Sequence, residues 1–188
     1  MAQRSTLQEL KKRFKIRNNS TMDQFVKQVI LHTFEQMQIK AAAESMCKQR
    51  TVGSSILEID TFNDLIEHYA AVSGPTKNSG CPVVPGPGHC NCSHAESRVV
   101  MKYLKRKYRQ HRKNIRTILI STHRPYVAGA NIIIDSGVID VVAYDELHNT
   151  YGSKSGFEKL DTSPDVRLWT KDTIEKDIEN EHIKSWLK

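Results

Sequence analysis

Cys90-Asn91-Cys92-Ser93-His94-Ala95-Glu96 ends an irregular stretch and opens a helix, and the reading of these seven residues decides the fold. Before them, Gly or Pro stands at positions 74, 75, 80, 82, 85, 86, 87 and 88, which predicts a long loop from Ser73 to Asn91. Such a loop inside a compact domain is usually functional or disordered. After them, Val99, Val100, Tyr103, Leu104 and Tyr108 recur at helical spacing, predicting a helix from Ser93 or His94 to about Lys113. Ser93 suits the N-cap, and Glu96 three residues later completes a capping box, which is one reading of that glutamate.

Working outward, Met22, Phe25, Val26, Val29, Ile30, Phe34, Met37 and Ile39 predict a first helix from Thr21 to about Ser45, capped by Ser20 or Thr21. Val52 to Ile59 and Phe62 to Ala70 read as an antiparallel hairpin. Beyond the central helix the order is strand 117–121, helix 125–136, strand 139–144, helix 154–160 and strand 165–169. Pro125 suits a first helical turn, and Gly137 suits the C-terminal stop. Alternating strands and helices predict parallel pairing within an α/β sandwich around a mixed five-stranded sheet. Ile174, Ile178, Ile183, Trp186 and Leu187 mark an amphipathic C-terminal helix.

The chain has 188 residues, 38% of them apolar, which suits one core. The expected division is a basic arm over 1–20, a main domain over 21–170 and the terminal helix over 171–188. No run approaches the roughly 18 apolar residues of a spanning helix, so the expectation is a soluble intracellular protein, cytoplasmic or in an organellar matrix, with no membrane partner. Net charge is +7, concentrated in the arm and in residues 102–116, where eight Lys/Arg interleave with Tyr103 and Tyr108. That surface attracts phosphate on a nucleotide, a nucleic acid or an acidic partner, although a solvated helix face accounts for it equally well. Cys47, Cys81, Cys90 and Cys92 are too few for a disulfide framework. Three of them fall close together beside His89 and His94, which favours metal over disulfide.

This element order resembles the cytidine deaminase superfamily, and three motifs in sequence resemble its deoxycytidylate deaminases. Ser45-Met46-Cys47-Lys48-Gln49-Arg50-Thr51-Val52-Gly53-Ser54-Ser55-Ile56 is similar to the family's S-x-C-x-R-x-x-V-G-A-x-I, with the arginine shifted by one. His94-Ala95-Glu96 is its HAE, and Ile132 to Tyr144 resembles its I-x-x-S-G-I-x-x-V-V-Y. The resemblance covers residues 22 to 170 and implies a three-layer α/β/α fold. It also implies a zinc-activated water attacking C4 of cytosine, with His94 as metal ligand and Glu96 as the proton-shuttling catalytic group. Association into homo-oligomers or with a partner chain follows from the same resemblance.

Two departures from the family pattern bear on that chemistry. Where the family has P-C-x-x-C, this chain reads Pro125-Tyr126-Val127-Ala128-Gly129, so neither thiolate is present. The family's nucleotide-contacting G-Y-N-G appears as His68-Tyr69-Ala70-Ala71. Three readings stay open. Zinc is held by a relocated set, Cys90, Cys92 and His94 with His89 or His123 as fourth donor, closed and structural if all four bind. Alternatively the chain is a working deaminase that uses Glu96 and takes a cytosine nucleotide through Arg50, Lys77, Arg98, Arg124 and Tyr126. Or it is a pseudoenzyme, a nucleotide-binding, regulatory or structural subunit of a larger, RNA-containing or other, complex.

Overall fold

The helical spacing from Phe25 to Met37 produces α1, Met22–Glu44, whose Phe25, Val26, Val29, Ile30, Phe34 and Met37 are all buried. The computed structural model describes residues 22–47, 50–60, 65–75, 81, 92–107, 115–145 and 151–176. The basic arm, Lys77, His89, Cys90, residues 108–114 of the basic stretch and the end of the C-terminal helix lie outside the described residues.

After α1 the hairpin forms as β1, Gly53–Asp60, and β2, Leu65–Val72. The loop that follows holds a short ribbon not expected from its Gly and Pro content. Gly74–Pro75, β3, pairs antiparallel with Cys92–Ser93, β4. A two-residue edge pairing tolerates proline because only one ladder position is lost. Then come α2, Ala95–Lys107, β5, Ile115–Ser121, and α3, Val127–Ser136. Next are β6, Val141–Tyr144, α4, Tyr151–Asp161, β7, Arg167–Thr170, and α5, Lys171–Lys176.

The main sheet has the order β2-β1-β5-β6-β7. β1 is antiparallel to both β2 and β5, whereas β5, β6 and β7 run parallel, joined by the α3 and α4 crossovers. Alternating residues feed two separate cores, as the two-residue period of a strand requires. Leu57, Ile59, Ile118, Ile120, Val141 and Ala143 pack with α1 and Ile174 of α5. Ile56, Leu119 and Val142 pack with Val99, Val100 and Tyr103 of α2, Ala130 and Ile133 of α3 and Leu160 of α4. This is the α/β/α sandwich expected from the sequence. Each fully buried aliphatic side chain contributes about 1.5–3 kcal/mol, so these two layers hold the sheet's strand ends in place.

Helix α3 begins at Val127, with Tyr126 in extended backbone at its N-cap, rather than at Pro125. Its end is as expected. Gly137 adopts the left-handed conformation, φ 61°, and its N–H closes on the carbonyl of Ile134. On the other side of this junction, α4 approaches backbone to backbone. A Cβ on Gly156 would lie 2.5 Å from the carbonyl carbon of Tyr126 and 2.8 Å from the nitrogen of Val127. Only glycine allows α4 to brace the 125–127 segment at this distance. Among the described residues, no helix is long and apolar enough to cross a membrane.

Candidate functional site

The carboxyl ends of parallel strands, where chain direction reverses into helices, form the crevice that open α/β sheets use for ligands. At that end of this sheet lie Ser121 at the end of β5, the 122–126 turn and, through the Ser121–Glu96 hydrogen bond, the start of α2. Ser93 sits in β4 and His94 occupies the position before α2, where its carbonyl accepts from Arg98 N–H at 3.1 Å. Glu96 does not complete a capping box. Its Oε1 accepts a hydrogen bond from Ser121 Oγ at 3.0 Å, and its Oε2 is buried with no hydrogen-bond partner among the described residues. With the residue only 2% exposed, the carboxyl group is turned into the fold. The sequence pattern alone pointed equally to a cap, because spacing from Ser93 cannot show which way the side chain turns.

Helix α2 is fixed at two levels. Glu96 meets Ser121, and Tyr103, seven residues or two turns later on the same face, donates from its hydroxyl to Glu58 Oε1 at 2.7 Å. Glu58 is fully buried on β1, and Tyr103 also packs edge-on against Tyr69 at 5.3 Å. Burial first, then the Glu58 carboxylate, pushes the Tyr103 hydroxyl well above its ordinary pKa, so it remains a donor. His68 to Ala71, where the family's G-Y-N-G is expected, lies within β2, and Lys102 Nζ donates to the Ala70 carbonyl.

At the place of the two missing thiolates, the chain is filled differently. Gly129 lies on the first turn of α3 against Glu96, and a Cβ there would sit 3.5 Å from Glu96 Cβ. Tyr126 carries the Arg50 guanidinium over its ring at 3.4 Å and meets the His94 ring at 5.3 Å. Arg50, His94 and Tyr126 are therefore one half-buried stack. The remaining expected residues have contacts of their own. His123 Nδ1 is 3.1 Å from Thr122 Oγ1, Arg124 packs over Phe157 at 4.7 Å and Tyr144 at 5.5 Å, and exposed Arg98 covers Gly74.

A zinc ion held by His94, Tyr126 and Gly129 does not fit this stack. Glycine offers no donor, and tyrosine is not among the Cys, His and carboxylate ligands that zinc takes. A different donor set fits. The sulfurs of Cys47, Cys81 and Cys92 lie within 4.8 Å of one another, close to the roughly 3.8 Å that tetrahedral Zn–S bonds of about 2.3 Å require. Cys47 and Cys92 are buried. Among the described residues, Cys92 of the expected ligands belongs to this group, and His94 and His123 do not. Cys81 belongs to the cysteine cluster that favours metal in the sequence, although not to the expected ligand set, whereas Cys47, 34 residues before it, is missed because it is distant in the chain. Cys47 was already visible in the S-x-C motif, but only as a mark of the fold.

Three segments meet at the sulfurs, and hydroxyls reinforce the corner. Ser45 Oγ lies 2.9 Å from Ser73 Oγ, and Ser73 Oγ donates to the Arg50 carbonyl at 2.6 Å. The backbone that carries Arg50 to Tyr126 is thus tied to the backbone beside Cys47 and β3.

Comparison with known proteins agrees with this architecture. No protein-family model and no curated protein matches the sequence. Among solved structures, the chain is similar to the dCMP deaminase of cyanophage S-TIM5 in complex with dCMP and dUMP. The two share 18% identity, with 76% of this chain and 96% of that one covered and a TM-score of 0.56. It is also similar to the Rib2 deaminase of Aspergillus oryzae, at 10% identity, 75% and 84% coverage and a TM-score of 0.51. The chain has the cytidine deaminase-like fold.

Proposed function

We propose that this protein binds a cytosine nucleotide or related phosphate-bearing ligand in the crevice of its deaminase-like fold without hydrolysing it, as a regulatory or structural subunit. The observation that supports this reading is the stack of Arg50 on Tyr126 against His94 where a catalytic metal would need thiolates. Hydrolytic deamination requires an open position on the metal for water, and among the described residues at this place His94 supplies an imidazole while positions 126 and 129 supply no sulfur. Glu96 keeps a buried oxygen with no hydrogen-bond partner among the described residues, beside Gly129, which suits contact with the polar edge of a ring. In this reading Arg50, on Tyr126, is a phosphate-binding cation, and Arg98 and Arg124 are further candidates.

In this reading Cys47, Cys81 and Cys92 hold a structural zinc. The ion would supply cross-linking of three segments and no reaction step.

A second reading, a working deaminase, is favoured by one observation, the placement of Glu96 with a free oxygen in the crevice. A single set of measurements separates the two: zinc content, turnover of dCMP and cytidine, and calorimetric titration with dCMP and dUMP. The expected result is zinc bound, nucleotide bound and no turnover. Turnover by the parent protein that disappears in Glu96→Ala would establish the deaminase instead.

A further inference from the structure

The sheet beneath Glu96 contains two serines where apolar residues would be the ordinary choice. Ser54 on β1 and Ser121 on β5 are direct antiparallel neighbours, both with 0% exposure. They lie on the same strand face as Ile56 and Leu119, against α2, so each places a hydroxyl within an apolar layer. Burying a hydroxyl without a partner costs about 1–3 kcal/mol in proteins. These two are satisfied in one direction. Ser54 Oγ donates to Ser121 Oγ at 3.1 Å, and Ser121 Oγ donates to Glu96 Oε1 at 3.0 Å.

A serine hydroxyl has one hydrogen. Ser121 can give that hydrogen to Glu96 or to another acceptor, and the choice is set by which of its lone pairs is already occupied. Ser54 occupies one. We infer that Ser54 is a positioning residue for Glu96, acting through Ser121: the relay orients the Ser121 hydroxyl, pins Oε1, and leaves Oε2 as the carboxyl oxygen presented to a ligand. Neither serine touches that ligand.

The sequence contains a trace of this device. In the motif that resembles V-G-A-x-I, Ser54 stands at the alanine position, so an oxygen has been placed where the fold itself needs only a methyl group. Its partner across the ladder is the residue that reaches Glu96. The inference rests on the reading of Glu96 as ligand-facing, and its experiment separates the two ideas.

The Glu96 carboxyl carbon is followed by NMR in glutamate-labelled protein, with the signal assigned by its loss in Glu96→Gln. Ser121→Ala is expected to move that signal, and Ser54→Ala to move it in the same direction by less, although Ser54 makes no contact with Glu96. Calorimetric affinity for dCMP is expected to fall about tenfold in Ser121→Ala and about threefold in Ser54→Ala. In a Glu96→Ala background the Ser54→Ala effect is expected to vanish, which a merely structural role would not produce. Should Ser121→Ala fail to fold, Ser54→Ala carries the test, since it removes a single atom. A Glu96 signal unmoved by Ser54→Ala overturns the relay. If the signal moves but the parent protein binds no nucleotide, the relay stands and the nucleotide-binding function falls.

Discussion

Two corners flank the start of α2, and they treat the same chemistry in opposite ways. The 125–129 corner has a strand end, a proline, a helix start and a neighbouring glutamate, with Tyr126 and Gly129 at the two positions where the resemblance implies thiolates. At the corner of Cys47, Cys81 and Cys92 three sulfurs converge from segments with no common motif. Donor chemistry and scaffold are therefore separable. The start of α3 is held by backbone packing, above all by α4 at Gly156, and needs no metal ligand at positions 126 and 129.

The contrast is broken most severely by removing the sulfurs. Cys47→Ser and Cys92→Ser are expected to lose bound zinc and to lower the melting temperature by more than about 10 °C, since metal binding to a folded site adds directly to folding stability. A chelator should reproduce the loss in the parent protein and have little effect on either variant. An equal melting temperature with and without zinc would remove the metal from that corner.

A smaller effect is expected at the opposite corner. Gly156→Ala forces a methyl group into the 125–127 backbone and should cost about 3 kcal/mol in urea unfolding while leaving zinc content unchanged. Loss of zinc in that variant would mean that the two corners are one unit.

The comparison is sharpened by restoring the missing donors. Tyr126→Cys with Gly129→Cys is expected to add one zinc per chain, because the added Cβ at 129 meets Glu96 at an ordinary 3.5 Å. Unchanged zinc content would show that the scaffold has drifted beyond repair.

The smallest expected effect concerns the far end of α2. Tyr103 in the folded state has its pKa raised by burial and by Glu58, so the unfolded chain releases this proton first as pH rises. Stability from this group is complete below pH 10 and is lost above it. The alkaline loss should be shallower in Tyr103→Phe, measured by urea unfolding between pH 8 and 11.

Much of the fold was legible because hydrophobic period is local. The α1 stripe from Phe25 to Met37, the strand around Leu119 and the Gly137 stop each follow from neighbours in the chain. The β3–β4 ribbon was not legible, since Gly74, Pro75 and Cys92 carry no strand pattern and pair only because their ends are held close. The site divides similarly. Glu96 and His94 stood out by motif, whereas the partner of Glu96 did not, for nothing in the sequence links position 96 to position 121.

By itself the sequence determined which residues are apolar at which period, hence the α/β/α layers, the order of the elements and the absence of thiols at positions 126 and 129. Tertiary structure alone decided what took their place. Cation–ring stacking of Arg50 on Tyr126, the convergence of Cys47, Cys81 and Cys92, and the hydroxyl relay from Ser54 to Glu96 are all contacts between residues distant in the chain. Their physical basis is distance and direction in space, which a periodic pattern does not encode.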